Sequence, residues 1–188
     1  MSESQTLNSE SPIFLLGFMA SGKSTVGPLL AAKLDRQFID LDRVIEAKVD
    51  CAVVELIARD GEERFRQIET ETLREVASRG GAIIAPGGGA ITRAENRELM
   101  SRFGITVWLD APFELCWRRI QQDGATRPLA PNEMSARKRY ERRAPLYRQA
   151  SIHIPINETQ PPDDISKTIV ERLRKVWSDC QTTETSVI

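Results

Sequence analysis

Residues 17–25 read GFMASGKST, and no other stretch of the chain restricts its fold as tightly. Gly17 and Gly22 flank four residues and are followed by Lys23 and Ser24, the spacing G-x-x-x-x-G-K-[ST] of a phosphate-binding loop. The two glycines permit backbone angles closed to other residues, so successive N–H groups can converge on a phosphate oxygen. Lys23 would reach the outer phosphates as a point charge, and the Ser24 hydroxyl can ligate magnesium. A glycine-serine turn is the competing reading of these residues taken alone. The flanks favour the phosphate site. PIFLLG before the motif is an apolar run suited to a buried parallel strand. STVGPLLAAKL after it places Val26, Leu29, Leu30 and Leu34 on one helical face, with Pro28 expected near the first turn, where a missing N–H does little damage. Such a loop specifies a nucleotide but no reaction.

The chain has 188 residues, enough to bury a good core as one domain. Its net charge of −1 gives no general attraction for nucleic acid or an anionic membrane. Cys51, Cys116 and Cys180 are far apart and lack metal-type spacing, which reads as reduced cytosolic thiols. The single histidine, His153, lies in the strand-like SIHIPI and reads as packing. No apolar run approaches the roughly 20 residues of a membrane span, and MSESQTLNSES lacks the parts of a signal peptide. We expect a disordered leader over 1–11, one domain over 12–178 and a disordered tail over 179–188.

Strands and helices alternate along the chain. QFIDLD reads as a second strand with a short helix over 43–49, and residues 51–80 as helices broken near Gly61 with Phe65, Ile68, Leu73 and Val76 inward. GAIIAPGGGA is a third strand running into a glycine turn, ITVWLDA a fourth and SIHIPI a fifth, each followed by or following a helical stretch. This pattern implies a parallel sheet covered on both faces, with its ligand crevice beyond the C-terminal strand ends. At those ends fall the phosphate loop, Asp40 and Asp42, and Gly87, Gly88 and Gly89. Two aspartates at i and i+2 of one strand point the same way; one can serve magnesium and the other a substrate hydroxyl. Asp42 as a helix N-cap is the alternative. Three consecutive glycines suggest backbone close to a ligand, with a plain turn as the alternative. Residues 118–148 carry nine cationic side chains against Asp123, Glu133 and Glu141, which suggests a locally held anion. A nucleic-acid arm would interleave aromatic platforms, and this segment does not. Arg127 in TRPL and Arg143 just before Ala144-Pro145, where the helix should loosen, stand apart from ordinary solvated helix faces.

GFMASGKST, FIDLD, GEERFRQIE, GGGA, RPL and RRAPLY, in that order, resemble the shikimate kinase family over nearly the whole chain. The resemblance implies an α/β fold with three α/β/α layers of the P-loop NTPase, nucleoside-monophosphate-kinase-like kind. It implies a five-stranded parallel sheet, substrate-binding helices over about 41–69 and a mobile lid over about 121–133. It implies transfer of the ATP γ-phosphoryl group to the 3-hydroxyl of shikimate, with Mg2+, on the route to chorismate and the aromatic amino acids. Carried over by motif, Gly17, Ala20, Ser21, Gly22, Lys23, Ser24 and Thr25 would bind ATP, joined by Arg119, Gln160 and the lid residue Arg127. Lys23, Asp42 and Arg127 would be catalytic, and Ser24 with Asp40 would serve the metal. Asp42, Arg66, Gly87, Gly88, Gly89 and Arg143 would bind shikimate, with Arg66 and Arg143 clamping its carboxylate and Glu69 holding Arg66 in place. Ala20 replaces a glycine usual in this loop, a harmless change if its angles are helical or extended. A cytoplasmic monomer acting on small molecules, with no nucleic-acid or membrane partner, completes the expectation. Two other readings keep the fold: a gluconate-type kinase, which gives no reason for paired Arg66 and Arg143, and a sensor domain that binds without turnover.

Overall fold

The computed structural model of the protein describes residues 10–123 and 131–184. Its five strands are β1 (Ile13–Leu16), β2 (Phe38–Asp40), β3 (Ile83–Ala85), β4 (Ile105–Asp110) and β5 (Ile152–Pro155). All neighbours pair in parallel, in the order β2-β3-β1-β4-β5. β1 and β3 are apolar and buried along their whole length, and β4 is buried up to its last residue, Asp110, because both faces of these strands are covered, whereas edge strand β5 alternates buried and exposed residues. Among the described residues, seven helices connect and cover the sheet on both sides: α1 (Lys23–Leu34), α2 (Leu41–Val49), α3 (Val53–Ser78), α4 (Ala94–Phe103), α5 (Phe113–Asp123), α6 (Glu133–Tyr147) and α7 (Pro162–Glu184). A 3-10 turn (Ala90–Thr92) follows the triple glycine. The core runs through Phe14, Leu15, Ile83, Ile84, Val107 and Leu109 of the sheet to Leu30, Leu73 and Ile169 of the helices. Chain order places β1 at the centre, where the topology switches sides, so the loop after it lies at the crevice.

Gly61 breaks α3 as the sequence implies. It adopts φ 87° and ψ 161°, inside the range that favours glycine, and nothing lies within 4 Å of where a Cβ would stand. The bend separates the start of α3 from the segment carrying Arg66 and Glu69.

Four local expectations are corrected. β2 ends at Asp40, and Asp42 lies in the first turn of α2, so the two aspartates are not alternate residues of one strand. The N-cap is Asp40, whose Oδ1 accepts from the N–H of Asp42 at 3.1 Å and of Arg43 at 3.5 Å. Because α1 begins at Lys23, Pro28 falls in its second turn, and the N–H that would bond the Ser24 carbonyl is missing. Pro145 does not loosen α6 either, since the helix continues to Tyr147, whose ring is fully buried. At the termini, order extends beyond the expected domain limits. The Gly81 N–H donates to the Glu10 carbonyl and Arg36 donates to that of Ser11. Helix α7, anchored by Ile165, Ile169 and Leu173, continues to Glu184, because helical backbone bonds need no apolar side chains to propagate. Residues 1–9, residues 185–188 of the expected tail and residues 124–130 of the expected lid, Arg127 among them, lie outside the described residues.

Candidate active site

A cleft of about 450 Å³ opens at the C-terminal ends of the central strands. Its lining includes Ala20, Gly22, Lys23, Ser24 and Thr25 of the phosphate loop, Asp40 and Asp42, Gly87 and Gly88, and Arg119. Gly17 and Gly22 adopt φ 150° and 107°, so both loop glycines are needed for conformation. Ala20 adopts φ 60°, so the condition under which its replacement of glycine would be harmless is not met; a left-handed alanine costs about 1–2 kcal/mol. Lys23 donates from Nζ to the carbonyls of Gly17 at 2.9 Å and Phe18 at 3.0 Å. Burial pulls its pKa down to about 8, and Asp42 is the chief group opposing that shift. The Ser24 hydroxyl donates to Asp40 Oδ2 at 3.2 Å, leaving Oδ1 to the helix cap.

Beside the loop, a charged cluster is built around the glycine turn. Arg66 donates to Glu69 at 2.7 Å and to Glu62 at 3.1 Å. These three residues share one face of α3 because they lie three and four positions apart. Arg143, from α6, is buried 6.0 Å from the Phe18 ring and close enough to Arg66 that the two charges repel. Burial, then this repulsion among others, lowers the pKa of Arg143. Burial pushes Glu69 up to about 7 against the pull of Arg66, and burial with neighbouring Asp40 raises Asp42. Asp42 Oδ1, Glu69 Oε1 and Arg143 Nε are buried with no hydrogen-bond partner among the described residues. Buried polar atoms left so are costly in a finished core and useful in a site awaiting a polar ligand.

The three glycines turn out to be required for room. Gly89 has φ −93° and ψ −16°, open to any residue, yet a Cβ there would stand 2.2 Å from Arg66 Nη2. A Cβ on Gly87 would meet Asp42 Oδ1 at 2.9 Å and Glu69 Oε1 at 3.0 Å, and one on Gly88 would meet the Gly17 carbonyl at 3.2 Å. The close approach is therefore to the protein's own charged side chains and phosphate loop.

The structure brings Lys23, Ser24, Asp40, Asp42, Gly87, Gly88 and Arg119 into one cleft. Arg66 and Arg143 do not line it: the end of Arg66 abuts Gly89, and Arg143 lies beside the Phe18 ring. Gln160 does not line it either; its turn is occupied by a Thr159–Asn157 hydrogen bond and an Arg118–Glu158 ion pair. Two contributors went unassigned in the sequence. Glu62 is the second carboxylate on Arg66, detectable from its i, i+4 spacing in GEERFRQIE. Tyr147, the last residue of RRAPLY, donates from its hydroxyl to the Gly88 carbonyl at 2.5 Å and so fixes the glycine turn. His153 packs edge-on against Trp108 and does not line the cleft. Cys51 and Cys116 are free thiols, and burial pushes Cys116 up to about 11. Among the described residues, no helix is long and apolar enough to cross a membrane.

A phosphate loop at the switch point of a five-stranded parallel sheet, facing a buried cluster of carboxylates and guanidinium groups, defines a P-loop small-molecule kinase of the nucleoside-monophosphate-kinase-like fold. The family model described as "Shikimate kinase" matches residues 19–174. A shikimate kinase of Nostoc punctiforme is 43% identical over 167 residues, covering 87% of this chain and 91% of that one. A solved shikimate kinase from Acinetobacter baumannii in complex with shikimate superposes with a TM-score of 0.84 at 37% identity, over 92% of this chain and 98% of the other. One from Bacteroides thetaiotaomicron gives 0.80 at 34% identity, over 87% and 98%. The chain belongs to the shikimate kinase family.

Proposed function

We propose that the protein transfers the γ-phosphoryl group of ATP to the 3-hydroxyl of shikimate, giving shikimate 3-phosphate and ADP. The observation that carries this reading is the place of Asp42 on the wall of the cleft that Lys23, Ser24 and the glycine turn also line, near enough to Lys23 and Arg66 to feel both charges. A phosphoryl donor is held on one side, and an acceptor bearing a hydroxyl and a carboxylate fits the other. Asp42 orients the acceptor hydroxyl and takes its proton as the new P–O bond forms and the bond to the β-phosphate bridging oxygen breaks. The transition state spreads negative charge over the transferred oxygens, so positioned cations and backbone N–H groups do most of the work. Lys23 leaves the Gly17 and Phe18 carbonyls to meet that charge. We assign Arg127 to closing onto the same phosphates. Arg66 and Arg143 hold the acceptor carboxylate, which supplies the partner that Arg143 Nε lacks among the described residues.

Magnesium fits the residues present. Ser24 Oγ and Asp40 Oδ2 are hard oxygen donors lying together at the cleft wall. Two such oxygens leave the rest of the ion's coordination to phosphates and water, the usual manner of magnesium in phosphoryl-transfer sites. When bound, the ion neutralises phosphate charge; Ser24 would hold it directly, and Asp40 would position Ser24 and its water. The reaction belongs to chorismate and aromatic amino-acid biosynthesis, and a cytoplasmic monomer suits it.

The acceptor assignment is tested by comparing shikimate with its uncharged carboxamide in wild type and in Arg66→Gln. A guanidinium fork matches a planar carboxylate, and removing one partner of such a buried pair costs about 2–5 kcal/mol. Wild type should discriminate strongly and the variant weakly, with ATP affinity little changed. Equal discrimination by both proteins would reduce Arg66 to a structural partner of Glu69 and Glu62. Gly89→Ala gives an independent check. Its methyl group must displace the end of Arg66, a flexible side chain, so the fold survives while the KM for shikimate rises by about tenfold or more, equal to 1.4 kcal/mol. An unchanged KM for shikimate would separate Arg66 from acceptor binding.

A further inference from the structure

The turn of Gly87, Gly88 and Gly89 has no side chain with which to brace itself, so its shape rests on backbone bonds. Two of its three carbonyls are held locally. That of Gly87 accepts from the Ala90 N–H at 2.9 Å, and that of Gly89 from the Thr92 N–H at 3.0 Å and the Thr92 hydroxyl at 2.7 Å. The Gly88 carbonyl is held from afar, by the Tyr147 hydroxyl at 2.5 Å across 59 positions of sequence. Gly88 is also the glycine that abuts the phosphate loop. A Cβ there would stand 3.2 Å from the Gly17 carbonyl, 3.4 Å from the Met19 nitrogen and 3.5 Å from the Tyr147 hydroxyl. Tyr147 is itself immobilised: its ring is buried at the end of α6 and stacks on Trp108 of β4, with centroids 6.1 Å and planes 20° apart. Burial raises the pKa of its phenol, so the oxygen keeps the proton that it donates. Helix α6 grips the phosphate loop as well, since the Tyr140 ring meets that of Phe18 edge-on at 5.3 Å. Residues seven apart share a helix face, so one face of α6 touches the phosphate loop through Tyr140 and the glycine turn through Tyr147.

We propose that Tyr147 is a positioning residue for phosphoryl transfer: its hydroxyl holds the glycine turn, and the acceptor beside it, at a fixed distance from the phosphate loop. A planar peptide fixed at its carbonyl is fixed at its N–H too, so the same bond sets the direction of the Gly89 N–H. The inference rests on reading the cleft as a phosphoryl-transfer site. Reacting atoms must stand about 3–3.5 Å apart, and a misplacement of about 1 Å costs roughly 10²-fold in rate. A loosened turn therefore costs more in turnover at saturation than in the affinity of either ligand.

Tyr147→Phe removes one oxygen and leaves the ring on Trp108. With ATP and shikimate saturating, its kcat should fall about tenfold or more, while calorimetric titration gives a Kd for each ligand within about threefold of wild type. A residue that only stabilised the fold would lower the melting temperature and leave kcat unchanged well below it, and that result would overturn the inference. So would a loss confined to shikimate affinity with kcat intact, which would make the hydroxyl a part of acceptor binding. Gly88→Ala reaches the same gap from the turn side and covers the case of a Tyr147→Phe chain that does not fold. Gly88 lies outside the left-handed region, so the added methyl group presses chiefly on the Gly17 carbonyl. It should lower kcat in the same manner, and wild-type kcat in that variant would equally overturn the proposal. Wild-type protein that binds ATP and shikimate without turnover would overturn the kinase reading itself, an outcome distinct from these.

Discussion

Lys23→Met is expected to lower kcat by on the order of 10³ or more while leaving the protein folded. Removing one preorganised donor from developing charge costs about 10²–10³ in rate, and Lys23 contributes a full charge as well as N–H groups. Its burial lowers its pKa to about 8 from an ordinary 10.5, so the folded state disfavours the charge that catalysis needs. Stability and activity should therefore part. Methionine fills the same stem volume without a buried charge, and the melting temperature at pH 7 should hold or rise. The linkage has a definite sign: between about pH 8 and 10.5 the unfolded chain binds more protons at this residue than the folded one, so wild-type stability rises with pH across that window through Lys23. The variant should lack that rise. Turnover within tenfold of wild type would remove Lys23 from phosphoryl transfer.

Asp42→Asn should lower kcat by about 10²–10⁴, the range for a positioned general base. The structure sharpens this expectation, because the cap of α2 belongs to Asp40. Asn at 42 has no cap to lose, and thermal stability should change little. Burial, with Asp40 beside it, raises the Asp42 pKa above the ordinary carboxylate value, so the acid limb of kcat/KM in wild type should lie above that of a free aspartate. The limb should flatten in Asp42→Asn. Asp40→Asn should behave differently, shifting the magnesium concentration needed for half-maximal rate and loosening the start of α2. Near wild-type turnover in Asp42→Asn would deny the residue any part in handling the acceptor proton.

Most of the architecture was legible because apolar runs, glycine loops and helical periodicity agree along the chain. The phosphate loop, the break at Gly61 and the i, i+3 pairing of Arg66 with Glu69 each follow from local spacing. Long-range facts were harder to read. Asp40 and Asp42 looked alike on a strand, and only the point where β2 yields to α2 made one a cap and turned the other into the cleft. The glycines at 87–89 signalled close approach correctly but not what approaches, since Asp42, Glu69 and Arg66 reach them from other elements. Ala20 was readable as a departure from glycine, whereas its left-handed angle depends on the shape of the whole loop. Pro28 and Pro145 sit inside helices because packing of α1 and α6 outweighs one lost backbone bond each.

The central claim is that this site phosphorylates one acceptor from ATP. Its most direct test follows ADP release by a coupled assay and the phosphorylated product by phosphorus NMR, with shikimate, with gluconate and with no acceptor. The account predicts ADP formed with shikimate in a one-to-one ratio to shikimate 3-phosphate, and only a trace with gluconate or water. ATP and shikimate both bound without ADP release, or ADP formed equally well without shikimate, would contradict it.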